Sequence, residues 1–201
     1  MSRLIGLTGG VASGKSTVAQ MLQERGARVV DADQLARRAV ETGSPALMEI
    51  RQVFGEGVMA QDGTLDRAEL GRLVFADARA RAELERVIHP LVADLSREEI
   101  RQAKAEGVQV VVYDVPLLYE TAREDEFEGV VVVYVDPEVQ LLRLRQRSGL
   151  SQAEALARIG AQMPLSRKRE LATWVVDNSQ TREATRLQVD DLWRSQLIAA
   201  E

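Results

Sequence analysis

Apolar and polar positions change rhythm several times along the chain. Leu4-Ile5-Gly6-Leu7-Thr8 is a short apolar run that closes in glycines, the mark of a buried strand. Residues 16–24 then carry Val18, Met21 and Leu22 at helical spacing, and Arg28-Val29-Val30 ahead of Asp31 reads as a second strand. Short strands separated by a helix predict a parallel sheet. From Asp33 to Gly107 the rhythm is helical, with no convincing strand. Residues 34–42 form one helix, stopped by Gly43, and Ser44-Pro45 opens the next with serine as cap and proline in the first turn. Asp62-Gly63 marks a turn, and Asp66 with Glu69 is a capping-box-like start for a helix through Phe75. Residues 80–106 read as a long helix, bent or interrupted at Pro90.

Beyond this helical block, residues 108–113 lead into Asp114 and residues 130–135 into Asp136-Pro137. Both are near-continuous β-branched runs, as in strands covered on both faces. Trp174-Val175-Val176 before Asp177-Asn178 is a fifth, shorter strand, and residues 182–200 close the chain as an amphipathic helix. The expected class is α/β: a five-stranded parallel sheet between helical layers, with a helical insertion between its second and third strands.

One junction carries chemistry. Gly9-Gly10-Val11-Ala12-Ser13-Gly14-Lys15-Ser16 matches G-x-x-x-x-G-K-[ST], directly after a strand and opening a helix, which is the context the pattern requires. A chance match somewhere in the chain is on the order of 1% at ordinary residue frequencies. Glycines let the backbone of Gly10, Val11, Ala12, Ser13 and Gly14 turn N–H groups toward phosphate oxygens, and the helix start adds its positive dipole end. Lys15 supplies a mobile charge for the β- and γ-phosphates. The Ser16 hydroxyl suits Mg²⁺, and Thr17 is placed for the α-phosphate. A nucleoside triphosphate with Mg²⁺ is therefore expected.

Asp31 and Asp33 close the second strand, at the edge where open parallel sheets bind ligands. Two apart on an extended chain, both can face one cleft. Asp33 is expected to accept a hydrogen bond from an acceptor hydroxyl and steer it toward the γ-phosphate, while Asp31 holds the Mg²⁺ water shell. Asp114 is the alternative carboxylate on the metal side. Capping aspartates remain the plain alternative for the pair.

Charge is unevenly spread. The chain has 26 Lys and Arg against 31 Asp and Glu, net −5, which argues against general nucleic-acid binding. Residues 141–170 nevertheless hold seven basic groups against Glu154 and Glu170, net +5. Arg143 and Arg147, four apart, share a helix face, and Ser151 with Glu154 caps a second helix carrying Arg158. This suggests a lid that closes over ATP, excludes water and adds guanidinium donors. An ordinary solvated face is the plain alternative. With no cysteine, thiolate metal sites and disulfides are excluded, and with the single histidine His89 so is any multi-histidine site. No apolar run reaches a membrane span or a signal peptide, so a cytoplasmic location is expected, with no membrane and no obligate protein partner.

Over essentially its whole length the chain resembles the dephospho-coenzyme A kinase family. The resemblance runs through the phosphate loop to Thr17, Asp31-Ala32-Asp33, Gly43-Ser44-Pro45-Ala46-Leu47, Asp62-Gly63-Thr64-Leu65-Asp66-Arg67 and Ile88-His89-Pro90. It continues through Asp114-Val115-Pro116-Leu117-Leu118-Tyr119-Glu120, Arg147-Ser148-Gly149-Leu150-Ser151 and Asp177-Asn178-Ser179. The His-Pro pair and the Val-Pro-Leu-Leu-x-Glu run are far more selective than the phosphate loop. The resemblance implies a P-loop kinase fold that transfers the ATP γ-phosphate to the ribose 3′-hydroxyl of dephospho-coenzyme A, the last step of coenzyme A synthesis. It implies a nucleotide core (1–33, 105–140 and 171–201), a helical acceptor domain (34–104) and a lid (141–170). By position it makes Asp33 the hydroxyl-orienting group, Lys15 the phosphate clamp and Arg147 the lid arginine. Asn178 falls near the adenine, and His89, Tyr119 and Glu120 in the acceptor region. Ala12 stands where glycine is commoner, and Ser166-Arg167-Lys168 with Thr173 where the family is more acidic. A shikimate- or gluconate-type kinase and a regulatory ATPase are the rival readings.

Overall fold

A computed structural model describes residues 2–198. The chain runs β1 (Arg3–Gly9), α1 (Lys15–Gln23), β2 (Arg28–Asp31), α2 (Ala32–Ala39), α3 (Pro45–Phe54), α4 (Arg67–Ala76), α5 (Ala78–Ala105), β3 (Val110–Asp114), β4 (Gly129–Tyr134), α6 (Pro137–Ser148), α7 (Gln152–Gly160), α8 (Leu165–Leu171), β5 (Trp174–Asp177) and α9 (Arg182–Leu192). The strands make one five-stranded parallel sheet, ordered β2-β3-β1-β4-β5. β1 is central: Ile5 lies opposite Val112 on one side and Gly129 on the other. The α/β class and the five strands expected from the sequence are those observed.

Contacts divide the chain into two compact units, residues 1–30 with 102–201, and residues 31–101. In the first, alternate strand residues share a face of the sheet. Ile5, Leu7, Val110, Val112, Val131 and Val133 on that face pack with Val18, Met21 and Leu22 of α1 and Val189 and Leu192 of α9. Each fully buried side chain of this size contributes about 1.5–3 kcal/mol. β3 is buried along its whole length, which accounts for its unbroken Val110-Val111-Val112 run. Main-chain pairing continues past the strands: Val115 N–H donates to Leu7 C=O at 2.9 Å and Asn178 N–H to Tyr134 C=O at 2.8 Å.

The second unit has its own core, in which Val40, Ala46, Ile50, Val58, Leu70 and Val87 are buried together. Ser44 Oγ accepts from Leu47 N–H at 3.1 Å with Pro45 in the first turn, as the sequence predicts. Asp66 caps α4, accepting from Ala68 and Glu69 N–H at 3.0 Å each, but Glu69 turns away from the cap to pair with Arg72 at 2.6 Å. This unit is not purely helical. Met59 and Leu65 form an antiparallel bridge around a turn in which Gly63 takes φ +78°.

Three expectations change. Of the two outcomes expected at Pro90, bend or interruption, the interruption does not occur: α5 runs through it. Proline removes only one N–H, and Leu84, Val87, Ile88 and Leu91 hold both sides of that point in the core. α2 begins at Ala32, two residues earlier than expected, because Asp31 caps it. α9 ends at Leu192 and passes into a π-helical turn at Trp193–Leu197, and residues 199–200 of the expected helix lie outside the described residues. Among the described residues no helix is long and apolar enough to cross a membrane.

Candidate active site

The loop between β1 and α1 is tightly constrained. Gly14, the residue before the first turn of α1, takes φ +86°, and a side chain there would strike the Asn178 amide. At Gly10 a Cβ would sit 2.8 Å from Gln140 Nε2 and 3.1 Å from Leu165 Cγ. Ala12 takes φ +60°, a left-handed conformation that costs a non-glycine residue about 1–2 kcal/mol. Within the loop Ser13 N–H donates to Gly10 C=O at 3.1 Å, and Thr17 and Val18 N–H to Gly14 C=O at 2.9 and 3.3 Å. The amides of Ala12, Gly14, Lys15 and Ser16 have no acceptor among the described residues, and no side chain caps α1. Unsatisfied amides at a helix N-terminus make an anion cradle.

Five side chains hold this cradle in shape, three on the loop itself and two through Asn178. Val11 N–H donates to Gln162 Oε1 at 2.8 Å, while Gln140 Nε2 donates to Val11 C=O at 2.8 Å. Asn178 Nδ2 donates to Ser13 C=O, and Thr185 Oγ1 donates to Asn178 Oδ1, both at 2.8 Å. Arg143 Nη1 donates to Asn178 C=O, again at 2.8 Å. Asn178, expected near the adenine, is therefore buried with both side-chain ends engaged, and it acts as a strut under the loop. The Ser13 hydroxyl is buried with no hydrogen-bond partner among the described residues.

Lys15 Nζ contacts the carboxylate of Asp114, the buried last residue of β3. Asp31 is engaged elsewhere. Its Oδ1 accepts from Asp33 and Gln34 N–H at 2.9 and 3.0 Å, and its Oδ2 from Gln34 Nε2 at 3.1 Å. The expected extended geometry of the pair is overturned: Asp31 is extended, whereas Asp33 lies in the first turn of α2. The cap formed by Asp31 is the physical cause. The Asp33 carboxylate is exposed and holds no hydrogen bond among the described residues.

Of the residues expected to meet the acceptor, His89 is exposed on α5. Tyr119 is buried, its hydroxyl has no hydrogen-bond partner among the described residues, and burial followed by the nearby Glu124 charge pushes its pKa up to about 12. That burial counts against contact with a ligand. Glu120 accepts from Met163 N–H at 3.0 Å and pairs with Lys168 Nζ at 2.9 Å. The basic segment is three helices, α6 to α8, rather than a hairpin of two. Arg147 is exposed in the last turn of α6. Lys168 is buried against Glu120, which lies outside the segment and offsets one of its net charges. Arg167 pairs with Glu170 at 2.7 Å, a pair the net count already includes, and the Arg169 guanidinium lies 4.8 Å over the Tyr134 ring.

A family model described as dephospho-CoA kinase matches residues 3–183. The chain belongs to the dephospho-CoA kinase family. It is 50% identical over 190 residues to the dephospho-CoA kinase of Anaeromyxobacter dehalogenans, covering 94% of this chain and 90% of that one. Against the dephospho-CoA kinase of Geobacter sulfurreducens it is 45% identical over 190 residues, covering 94% and 96%. The crystal structure of TT1252 from Thermus thermophilus superposes with a TM-score of 0.83 at 39% identity, over 95% of this chain and 96% of that one.

Several residues around this dephospho-CoA kinase loop escaped the sequence reading: Gln140, Gln162, Lys168 and Thr185. Three of them share a signal. Gln140 precedes buried Leu144 by four, Lys168 follows buried Leu165 by three, and Thr185 stands four and seven before buried Val189 and Leu192. Each is a polar residue on an apolar stripe, where burial demands a hydrogen-bond partner. Gln162 lies in a turn and carries no such mark.

Proposed function

We propose that this chain catalyses transfer of the ATP γ-phosphoryl group to the ribose 3′-hydroxyl of dephospho-coenzyme A, yielding coenzyme A and ADP. The observation that carries this reading is the set of four acceptor-free amides at the start of α1, within a chain that matches its family over residues 3–183. The cradle binds the polyphosphate of ATP through the amides of Ala12, Gly14, Lys15 and Ser16. Lys15 adds a positive charge where negative charge builds on the transferring group. Thr17, in the first turn of α1, is assigned to the α-phosphate.

Mg²⁺, when bound with ATP, neutralises phosphate charge and orients the terminal group. The exposed Ser16 hydroxyl and the Asp114 carboxylate beside Lys15 suit it. Asp114 is favoured over Asp31, whose Oδ1 caps α2 and whose Oδ2 accepts from the Gln34 side-chain amide.

Asp33 is assigned to the acceptor hydroxyl. It is a solvated carboxylate without a competing partner, matched to the family by position. Residues 34–104 form the acceptor domain and residues 141–170 the lid, where exposed Arg147 supplies a guanidinium to the phosphates. Arg143 acts through Asn178 and the loop behind it. His89, solvent-facing on its helix, stays assigned to acceptor contact.

A coupled ADP-release assay with dephospho-coenzyme A, shikimate, gluconate and no acceptor tests the reading. ADP release only with dephospho-coenzyme A is expected. Equal release without acceptor makes the chain an ATPase, and release with shikimate or gluconate makes it a different small-metabolite kinase.

A further inference from the structure

Lys168 is a fully buried lysine that the proposed transfer does not use. Its Nζ donates to Pro116 C=O at 3.0 Å and to the Glu120 carboxylate at 2.9 Å. Burial pushes the ammonium below the ordinary lysine range, Glu120 opposes that shift, and the Lys15 charge adds to it. An isolated buried ammonium is strongly unfavourable, so such a group persists where its partners hold it.

Those partners lead to the phosphate loop from two directions. Pro116 C=O also accepts from the Thr8 hydroxyl at 3.1 Å, and Thr8 is the penultimate residue of β1. The other oxygen of Glu120 accepts from Met163 N–H at 3.0 Å. Its neighbour Gln162 accepts from Val11 N–H at 2.8 Å. A closed ring of contacts thus runs from Thr8 through Pro116, Lys168, Glu120 and Met163 to Gln162 and Val11. With Gln140 on the Val11 carbonyl, both polar main-chain atoms of Val11 are fixed. The next residue is Ala12, at φ +60°. A strained backbone of this kind is kept only where its surroundings over-determine it, and Ala12 and the residues after it present the acceptor-free amides.

We propose that Lys168 is a positioning residue for phosphoryl transfer: through Glu120 it seats the turn between α7 and α8 so that Gln162 holds Val11 and sets the phosphate loop in its binding shape. Lys168 touches no phosphate. Its effect reaches the reaction through Gln162, so the two residues act in series.

The inference rests on the kinase reading for its kinetics, and amide exchange tests it independently. In Lys168→Met and in Gln162→Ala, hydrogen exchange measured by mass spectrometry speeds up across residues 9–14, while the rest of the sheet keeps its protection. Exchange in that segment unchanged from the parent in Lys168→Met overturns the proposal, whatever reaction the chain performs; Gln162→Ala, which removes the acceptor of Val11 N–H directly, sets the size of the expected change. In the ADP-release assay each variant loses about 10- to 100-fold in kcat, the scale of a slightly misplaced reacting group, with KM for ATP changing far less. The double variant is no slower than Lys168→Met alone, because one route has been cut twice. Independent, multiplying losses overturn the series relationship. Should Lys168→Met fail to fold, Glu120→Gln and its combination with Gln162→Ala carry the same comparison. A parent chain inactive with dephospho-coenzyme A defeats the kinase reading and leaves the exchange result to decide this one.

Discussion

The Asn178 side-chain amide donates to the Ser13 carbonyl at 2.8 Å, joining positions 165 residues apart in sequence. Its oxygen accepts from the buried Thr185 hydroxyl, so the end of β5 and the start of α9 stand directly behind the phosphate loop. Asn178→Ala leaves buried polar groups short of a partner, and a stability loss of about 1–3 kcal/mol in chemical denaturation is expected, together with a raised KM for ATP. A variant of unchanged stability with weaker ATP binding would return Asn178 to the adenine contact read from sequence.

Lys15 and Asp33 separate the two halves of the chemistry. Lys15→Ala abolishes phosphoryl transfer while circular dichroism stays that of the parent. Asp33→Asn keeps ATP binding by calorimetry and lowers kcat by at least about 100-fold, the scale of a lost positioned acid–base group. Parent-like turnover in Asp33→Asn removes that residue from the mechanism.

Tyr119 gives a pH signature. Its ordinary value of 10.0 is raised to about 12, chiefly by burial. Between those values the folded chain keeps the proton that the unfolded chain has lost. This contribution to stability is therefore whole below pH 10 and falls as pH rises toward 12. Ultraviolet titration of the folded parent is expected to show a late-titrating component that Tyr119→Phe lacks. Because the hydroxyl has no partner, Tyr119→Phe is no less stable than the parent at neutral pH and keeps its activity. A large rise in KM for dephospho-coenzyme A in that variant would restore the acceptor contact.

Ala12 is strained where glycine would not be. Ala12→Gly relieves about 1–2 kcal/mol of left-handed strain and gives back about 0.5–1 kcal/mol through the entropy of the unfolded chain. A small net gain in stability in urea denaturation is expected. A clear loss would mean that the surroundings of Ala12 favour a side chain there.

The sheet was legible because its central strands are buried on both faces, which forces unbroken runs such as Val110-Val111-Val112. The phosphate loop was legible because its glycines answer to geometry: Gly14 needs its positive φ, and Gly10 needs room for Gln140 and Leu165. Asp31 and Asp33 were only half legible. The spacing marked them, but a capping aspartate and a metal-side aspartate look alike until Asp33 and Gln34 are seen donating to Asp31. The struts were least legible. Gln140, Lys168 and Thr185 carry a local sign of burial, yet their partners Val11, Glu120 and Asn178 lie 129, 48 and 7 residues away. Only the folded chain brings such pairs together.

The most direct measurement is phosphorus NMR of the reaction mixture after the chain is incubated with ATP, Mg²⁺ and dephospho-coenzyme A. A new ribose 3′-phosphomonoester signal growing in step with ADP is the expected result. Inorganic phosphate and ADP with dephospho-coenzyme A left intact, or no consumption of ATP at all, would contradict it.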